Sequence, residues 1–137
     1  MSLTYIPSTL REKVRLRANR RCEYCLLFEQ YAHFSHEADH IIAEKHAGET
    51  VFDNLAWSCF DCNRHKGSDV ASVDPISQKI IPLFNPRTES WHDHFEILDG
   101  QILPLTATGR VTVHLLKFNL IARIEVRATL AKANCYP

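Results

Sequence analysis

Four of the five cysteines in this 137-residue chain form two Cys-x-x-Cys pairs, Cys22/Cys25 and Cys59/Cys62. Two intervening residues let both thiolates of a tight turn point at one ion, and two such turns supply the four sulfurs of a tetrahedral zinc site. Disulfides are the competing use, but we find no secretion signal, and paired disulfides are rare in reducing compartments. The spacing therefore predicts one structural Zn²⁺. Cys135 has no partner motif and is predicted to be an incidental thiol.

Polar residues suited to phosphate chemistry lie between and beside these pairs: Asp39-His40, then Asn54, then Asn63. The runs RCEYC, ADHII, DNLAWSC and DCNRHKG, in this order and spacing, resemble the HNH endonuclease family. The resemblance is to the branch whose ββα-metal core is braced by a four-cysteine zinc. It covers approximately residues 20–68, about a third of the chain.

The resemblance implies a role for each of the four polar residues. His40 would be the general base, since an imidazole titrates near neutral pH and can take a proton from the attacking water. Asp39 and Asn63 would hold a catalytic divalent ion, because carboxylate and amide oxygens suit Mg²⁺ or Mn²⁺. Asn54 would brace the loop that carries the base. Many family members have a histidine where this chain has Asn63, which makes the chain an HNN variant.

These roles imply a metal-dependent endonuclease that hydrolyses DNA phosphodiester bonds. Two alternatives stay open. The first is a non-catalytic zinc module that binds nucleic acid or protein, in which the four polar residues are vestigial. The second is a nuclease that acts on RNA. The presence of all four polar residues argues against the vestigial module, since drift would be expected to break one of them.

The helices and strands that position these residues can be predicted from helix-capping residues, from the alternation of apolar and polar residues, and from turn residues. Ser8 or Thr9 could cap a helix that runs to about Asn19. Residues 34–42 and 54–58 have strand character, and DCNRHK favours a short helix that Gly67 would end. Because neighbouring strand residues point to opposite faces, Asp39 and His40 reach one phosphate only if the backbone bends. We therefore expect a strand end, bulge or turn at residues 39–41.

His36 shares strand parity with Phe34, Ala38 and His40. Packing is its expected use, and a role as a substrate contact or ligand is the second option. Trp91-His92-Asp93-His94-Phe95 could place two histidines on one face of a strand, but without further ligands we propose no second metal there.

Beyond residue 68 the pattern predicts a β-hairpin, HFEIL and QILPL around Asp99-Gly100, followed by helices near 107–118 and 120–134. The predicted fold class is α+β. A small ββα-metal core with structural zinc, at about 20–68, is flanked by an N-terminal helix and by a C-terminal extension, at about 69–137. We expect one domain over residues 1–137, because the length suits a single core.

The net charge is zero, but the charged residues are unevenly distributed along the chain. Residues 1–25 hold six basic and two acidic groups, residues 110–137 hold five and one, and the stretch between holds five and thirteen. Basic ends around an acidic centre are compatible with DNA as the partner. No apolar stretch approaches the roughly 18 residues that span a bilayer, so we expect no membrane contact and a cytoplasmic location. The candidate phosphate contacts are Arg20, Arg21, Lys45, Arg64, His65 and Lys66.

Overall fold

The computed structural model describes residues 4–137, in which α-helices alternate with pairs of short antiparallel strands. The helices are α1 (Ser8–Arg17), α2 (Phe60–Lys66), α3 (Trp91–His94), α4 (Ala107–Leu115) and α5 (Ile121–Lys132). The strands are β1 (Glu37–His40), β2 (Leu55–Ser58), β3 (Ala71–Val73), β4 (Ile80–Pro82), β5 (Phe95–Leu98) and β6 (Gln101–Pro104). The α+β class is confirmed.

The described chain forms two compact units, residues 4–70 and residues 71–137. The boundary lies close to residue 68, where the ββα core was predicted to end. The assignment of the whole chain to a single domain stays a prediction. None of the described helices has the length and apolar character needed to cross a bilayer.

In the first unit, α1 begins at the predicted place but without the predicted cap. Pro7 is the residue before the helix, and no side chain caps it. The helix ends at Arg17, two residues before Asn19, and Asn19 and Arg20 both adopt left-handed backbone conformations, with φ of 54° and 60°. Such conformations cannot continue a right-handed helix. Because Ser8 and Thr9 both lie inside α1, the prediction that one of them caps the helix was wrong.

Strands β1 and β2 pair antiparallel, with Asp39 opposite Ala56 and His40 opposite Leu55. Strand β1 ends at His40 because the next two backbone N–H groups turn to Asn54. Ile41 N–H donates to the Asn54 carbonyl and Ile42 N–H donates to Asn54 Oδ1, both at 2.9 Å. The strand is thus shorter than the predicted 34–42, and it ends where a strand end was expected.

The core of the first unit lies between α1 and this hairpin. Its buried members share an apolar character and come from both elements and from the segment before α1: Ile6, Val14, Leu55 and Trp57. Leu10, Ala18 and Ala38 pack against them. The apolar contacts hold β1 and β2 in place, which fixes the strand end that carries His40.

The second unit contains two hairpins and two longer helices. β5 and β6 are joined by Asp99 and Gly100, with φ of 49° and 82°, which confirms the predicted Asp-Gly turn. The hairpin of β3 and β4 and the short helix α3 were not predicted. The two later helices are confirmed: α4 begins at the predicted residue, and the other three ends lie one to three residues inside the predicted ones. The fully buried apolar side chains of this unit include Phe95, Ile102, Val111, Leu116 and Phe118.

Candidate metal centre and active site

The four cysteines of the two Cys-x-x-Cys pairs converge at one buried point. One Sγ from each of Cys22, Cys25, Cys59 and Cys62 lies within 4.8 Å of every other. The Sγ atoms of Cys25 and Cys59 are 3.7 Å apart. With Zn–S bonds of about 2.3 Å, a tetrahedral site places its sulfurs about 3.8 Å apart, so the arrangement fits zinc. In residues 4–137 no other group of three or more His, Cys, Asp or Glu converges in this way.

Each cysteine pair is shaped by backbone N–H groups that point at sulfur. The N–H groups of Tyr24 and Cys25 donate to Cys22 Sγ at 3.4 Å, and Cys62 N–H donates to Cys59 Sγ at the same distance. Cys59 is also the N-terminal cap of α2, so the second pair and the helix start together. The N–H groups stabilise negative charge on sulfur, which is the state that binds a metal.

Burial raises the pKa of the Cys62 thiol, and hydrogen bonding with Cys22 and Cys25 raises that of the Cys59 thiol. The Cys59 and Cys62 thiols therefore favour their neutral forms until a cation displaces the protons. Metal binding accounts for a buried cluster of this kind.

A groove of about 730 Å³ lies on the first unit beside β1. Three of the four predicted site residues line it: Asp39, His40 and Asn63. Asn54 does not. The other lining residues come from the segment before α1, from α1, from β1 and its flanks, and from the end of α2: Thr4, Tyr5, Ile6, Arg11, Ser35, His36, Glu37, Ala38, Ala43, Glu44, Lys45 and Ser68.

His40 is buried at the end of β1, and one ring nitrogen is held by the loop that follows. Its Nε2 lies 2.8 Å from Thr50 Oγ1 and 3.9 Å from Glu44 Oε1. A nearby carboxylate favours the proton on Nε2, in which case Nε2–H donates to Thr50 Oγ1. The lone pair is then on Nδ1, and that nitrogen can accept a proton.

Asn54 holds both ends of the loop between β1 and β2. Its Nδ2 donates to the carbonyls of Ile42 at 2.9 Å and Glu49 at 2.8 Å, and its Oδ1 accepts from Ile42 N–H. The side chain thus uses both donors and its acceptor on backbone groups of this loop. The geometry matches a brace, and Asn54 is not among the residues that line the groove.

Asp39 forms a buried ion pair with Lys66 of α2. The side chains are 8% and 2% exposed, and Lys66 Nζ lies 3.0 Å from Asp39 Oδ2 and 3.0 Å from the His40 carbonyl. Burial raises the pKa of Asp39, while the Lys66 ammonium opposes this rise. Lys66 is therefore not available as the phosphate contact that the sequence suggested, because its charge is used inside the unit.

Asn63 lies on α2 and faces β1. Its Nδ2 donates to Glu37 Oε2 at 3.1 Å. Because the amide nitrogen is engaged by the carboxylate, the oxygen of the same amide is left for another partner. An amide oxygen is a ligand that hard divalent ions accept. Asp39 and Asn63 therefore bring a carboxylate and an amide oxygen to one groove.

Comparison with known families agrees with this geometry. Residues 22–69 match the family model described as HNH endonuclease. Residues 22–69, about a third of the chain, are therefore similar to an HNH domain. No curated protein matches the chain, and no solved structure does either. An HNH domain implies a nuclease-type function on a nucleic-acid substrate, and the four-cysteine cluster is consistent with the zinc-braced branch of the family.

Within the HNH domain, His36 is buried against the hairpin, as its parity suggested. Its Nε2 lies 2.9 Å from the Leu27 carbonyl, and its ring centroid is 6.3 Å from that of Trp57. His36 also forms part of the groove wall. Packing accounts for these contacts, and a ligand role stays a prediction.

The remaining basic residues predicted to contact phosphate differ in their exposure and contacts. Lys45 is exposed and lines the groove, and Arg20 and Arg64 are exposed. Arg21 is half-buried, with its guanidinium 4.3 Å from the ring centroid of Phe28, and His65 is also half-buried. Lys45, Arg20 and Arg64 are thus the candidates best placed to meet a phosphate.

The basic helices at the two ends use several of their charges internally. Arg15 pairs with Glu12 and Glu29, and Arg17 donates to the carbonyls of Phe52 and Leu55. In the second unit, Arg127 is buried and donates to the carbonyls of Gly100 and Phe118, among other acceptors. The number of basic residues at the two ends therefore overstates how many positive charges can contact a phosphate backbone.

Sequence reasoning missed three residues near the site: Glu37 and Glu44, which line the groove, and Thr50, which contacts the ring of His40. Glu37 could have been found from strand parity, since it is two residues before Asp39 and therefore on the same face of β1. Thr50 and Glu44 carry no such signal, because the loop that positions them is irregular.

Proposed function

We propose that this protein is a metal-dependent endonuclease that hydrolyses DNA phosphodiester bonds. The observation that carries the proposal is the convergence of His40, Asp39 and Asn63 on one groove of a zinc-braced HNH domain. A base and two oxygen ligands around one cleft provide the groups that metal-assisted hydrolysis of a phosphodiester uses.

His40 acts as the general base in this proposal. Its Nδ1 takes a proton from a water whose oxygen attacks phosphorus, and the bond from phosphorus to the 3′ oxygen breaks. Thr50 and Glu44, on the other side of the ring, favour the tautomer in which Nδ1 is unprotonated. The buried position of His40 limits the orientations that its ring can adopt.

Asp39 and Asn63 hold the divalent ion, Mg²⁺ or Mn²⁺, through their oxygens. When bound, the ion neutralises charge on the phosphate and stabilises the departing 3′ oxygen. Glu37 holds the Asn63 amide so that its oxygen is the atom presented. Lys66 keeps Asp39 ionised, because a carboxylate buried without a cation would take up a proton.

Asn54 fixes the loop that ends β1, through the three hydrogen bonds to Ile42 and Glu49. Asn54 thus positions the general base, His40, through the backbone of this loop. Arg20, Lys45 and Arg64, all exposed, are the residues proposed to contact phosphates. The four cysteines hold Zn²⁺, which stabilises a small unit and takes no part in the reaction.

The experiment that tests this proposal is cleavage of supercoiled plasmid by the purified protein with Mg²⁺, Mn²⁺, Ni²⁺ or EDTA. His40→Ala is expected to lower the rate by about 10²–10⁴-fold, the usual contribution of a general base. Zinc content, circular dichroism and DNA affinity should stay close to wild type. The matched control is His46→Ala, which removes an exposed histidine from the same loop.

Two further variants separate the proposed roles. Asp39→Ala should lower the rate and raise the metal concentration needed for half-maximal activity, since it removes an ion ligand. Asn54→Ala should have an intermediate effect on rate with little change in the metal requirement. A His40→Ala protein that cuts plasmid at the wild-type rate would exclude this mechanism.

The same assay distinguishes the alternatives. If the wild type cuts neither plasmid nor a structured RNA with any of these ions but still binds nucleic acid, the protein is a zinc-containing binding module. If it cuts RNA and leaves plasmid intact, the substrate assignment changes and the roles of the residues stand.

A further inference from the structure

Two phenylalanine rings are paired on the surface of the first unit. Phe34, before β1, and Phe60, the first residue of α2, are 54% and 40% exposed. Their ring centroids are 4.6 Å apart with an interplanar angle of 41°. The exposed ring of His33 adds a third member, 4.7 Å from Phe34 and nearly perpendicular to it. Single exposed apolar residues are ordinary, but a preformed aromatic cluster of this kind marks a contact surface.

This aromatic pair adjoins the rim of the groove. Phe60 lies one helical turn before Asn63, which puts both on one side of α2. Phe34 directly precedes Ser35 and His36, and both of those residues line the groove. Arg64, four residues after Phe60, is exposed on the same side of the helix. An aromatic surface and a cation thus stand together beside the site of the proposed chemistry.

We propose that Phe34 and Phe60 form a stacking platform that receives an unpaired base of the nucleic acid entering the groove. The inference rests on the proposed nuclease function and names its substrate class: nucleic acid with an unpaired region, such as a single strand or a flap. Arg64 contacts the phosphate of the stacked nucleotide. Bases within an intact duplex are already stacked on their neighbours, so such a platform engages only bases that are free to turn outward.

The surroundings favour a base over a protein as the occupant. The rim next to the rings is polar, with Ser35, Glu37 and Asn63. The apolar area is therefore limited to the rings themselves. A stable protein partner would need to bury roughly 800 Å² on each side, whereas one flat base covers about the area of a ring pair. The exposed Arg64 also matches the negative charge of a nucleotide backbone.

The test is binding of fluorescent oligonucleotides in buffer without added divalent ions, which prevents metal-dependent cleavage and leaves the structural zinc in place. The three probes are a single strand, the matching duplex and a duplex with a single-stranded flap. Phe34→Ala and Phe60→Ala should each weaken binding of the single strand and the flap by about 5- to 150-fold. The affinity for the duplex should fall by a smaller factor than the affinity for the single strand. Phe34→Tyr and Phe60→Tyr keep the rings and should bind like wild type.

Ile121→Ala is the control for loss of an exposed apolar side chain, since Ile121 is 75% exposed in the second unit. Zinc content of every variant confirms that the first unit is folded. The platform is excluded if the alanine variants bind the single strand as tightly as wild type does. Plasmid cleavage by the wild type would then still support the nuclease, so the two proposals fail separately. Self-association of the wild type that Phe34→Ala abolishes would also overturn the platform, in favour of a protein contact.

Discussion

The Oγ1 atom of Thr50 lies 2.8 Å from Nε2 of His40. Thr50 follows Glu49, whose carbonyl accepts a hydrogen bond from Asn54. The brace provided by Asn54 therefore reaches the ring of His40 in two steps, through the loop backbone and then through the Thr50 side chain. This connection gives a physical route by which a residue outside the groove can control the orientation of a residue inside it.

We expect Thr50→Val to reduce plasmid cleavage by about 10-fold, which corresponds to the net contribution of one hydrogen bond. Valine has nearly the shape of threonine but leaves Nε2 without its partner. Thr50→Ser keeps the hydroxyl group and should retain most of the rate. The measurement is the single-turnover rate at saturating metal, with zinc content as the check on folding. An unchanged rate for the valine variant would show that the ring needs no partner at this nitrogen.

What could be predicted from the sequence is what local spacing determines. Cys22 and Cys25 must lie in one turn, and Gly67 ends α2 because few other residues adopt its backbone conformation. The strand end at His40 followed from the opposite directions of neighbouring strand residues. These are short-range constraints, and a single sequence contains them.

What could not be predicted depends on contacts between distant segments. Lys66 lies 27 positions after Asp39, and nothing in its neighbours distinguishes a buried ammonium from an exposed one. Arg127 is likewise buried against carbonyls that only the fold brings together. The helix that carries Lys66 was predicted correctly, yet the direction in which this side chain points was not.

The zinc site should be essential for folding of the first unit. Cys59→Ser removes one sulfur ligand but keeps a side chain that can cap α2. We therefore attribute the expected effects to loss of the metal: zinc content should fall well below one per chain and the helical signal should drop. Structural zinc contributes about 10–16 kcal/mol in small zinc peptides, comparable to the total stability of a domain. Elemental analysis and circular dichroism measure both effects. The control is Cys135→Ser, which alters a half-buried thiol in the second unit. This variant should contain as much zinc as the wild type does.

Breaking the ion pair between Lys66 and Asp39 should be costly. Lys66→Met leaves the Asp39 carboxylate buried without its cation, and removing one member of a buried pair destabilises proteins by about 3–5 kcal/mol. Adding Asp39→Asn to Lys66→Met should recover part of this loss, because no uncompensated charge remains. Urea unfolding of the wild type, both single variants and the double variant completes the cycle. Additive losses in the double variant would mean that the two side chains do not interact.

The second unit should lose stability in acid through Asp74. This carboxylate is fully buried, and Arg110 donates to both of its oxygens at 2.8 and 2.9 Å. The Arg110 guanidinium, followed by hydrogen bonds from Ser77 and Ile76, holds the pKa of Asp74 well below its usual range. A pKa that is lower in the folded state favours folding above the unfolded value of about 3.9, and this contribution is lost as the pH falls through the folded value.

Asp74→Asn should therefore unfold at a lower temperature than wild type at pH 7, and the difference should shrink progressively below about pH 4, where the wild type begins to lose the same contribution. Thermal unfolding followed by circular dichroism across this pH range measures the difference. Asp93→Asn, which changes an exposed carboxylate of the same unit, should follow the wild-type curve. A gap between Asp74→Asn and wild type that stays constant down to the lowest pH at which the protein folds would show that Asp74 stabilises the unit through its shape and hydrogen bonds, independently of its charge.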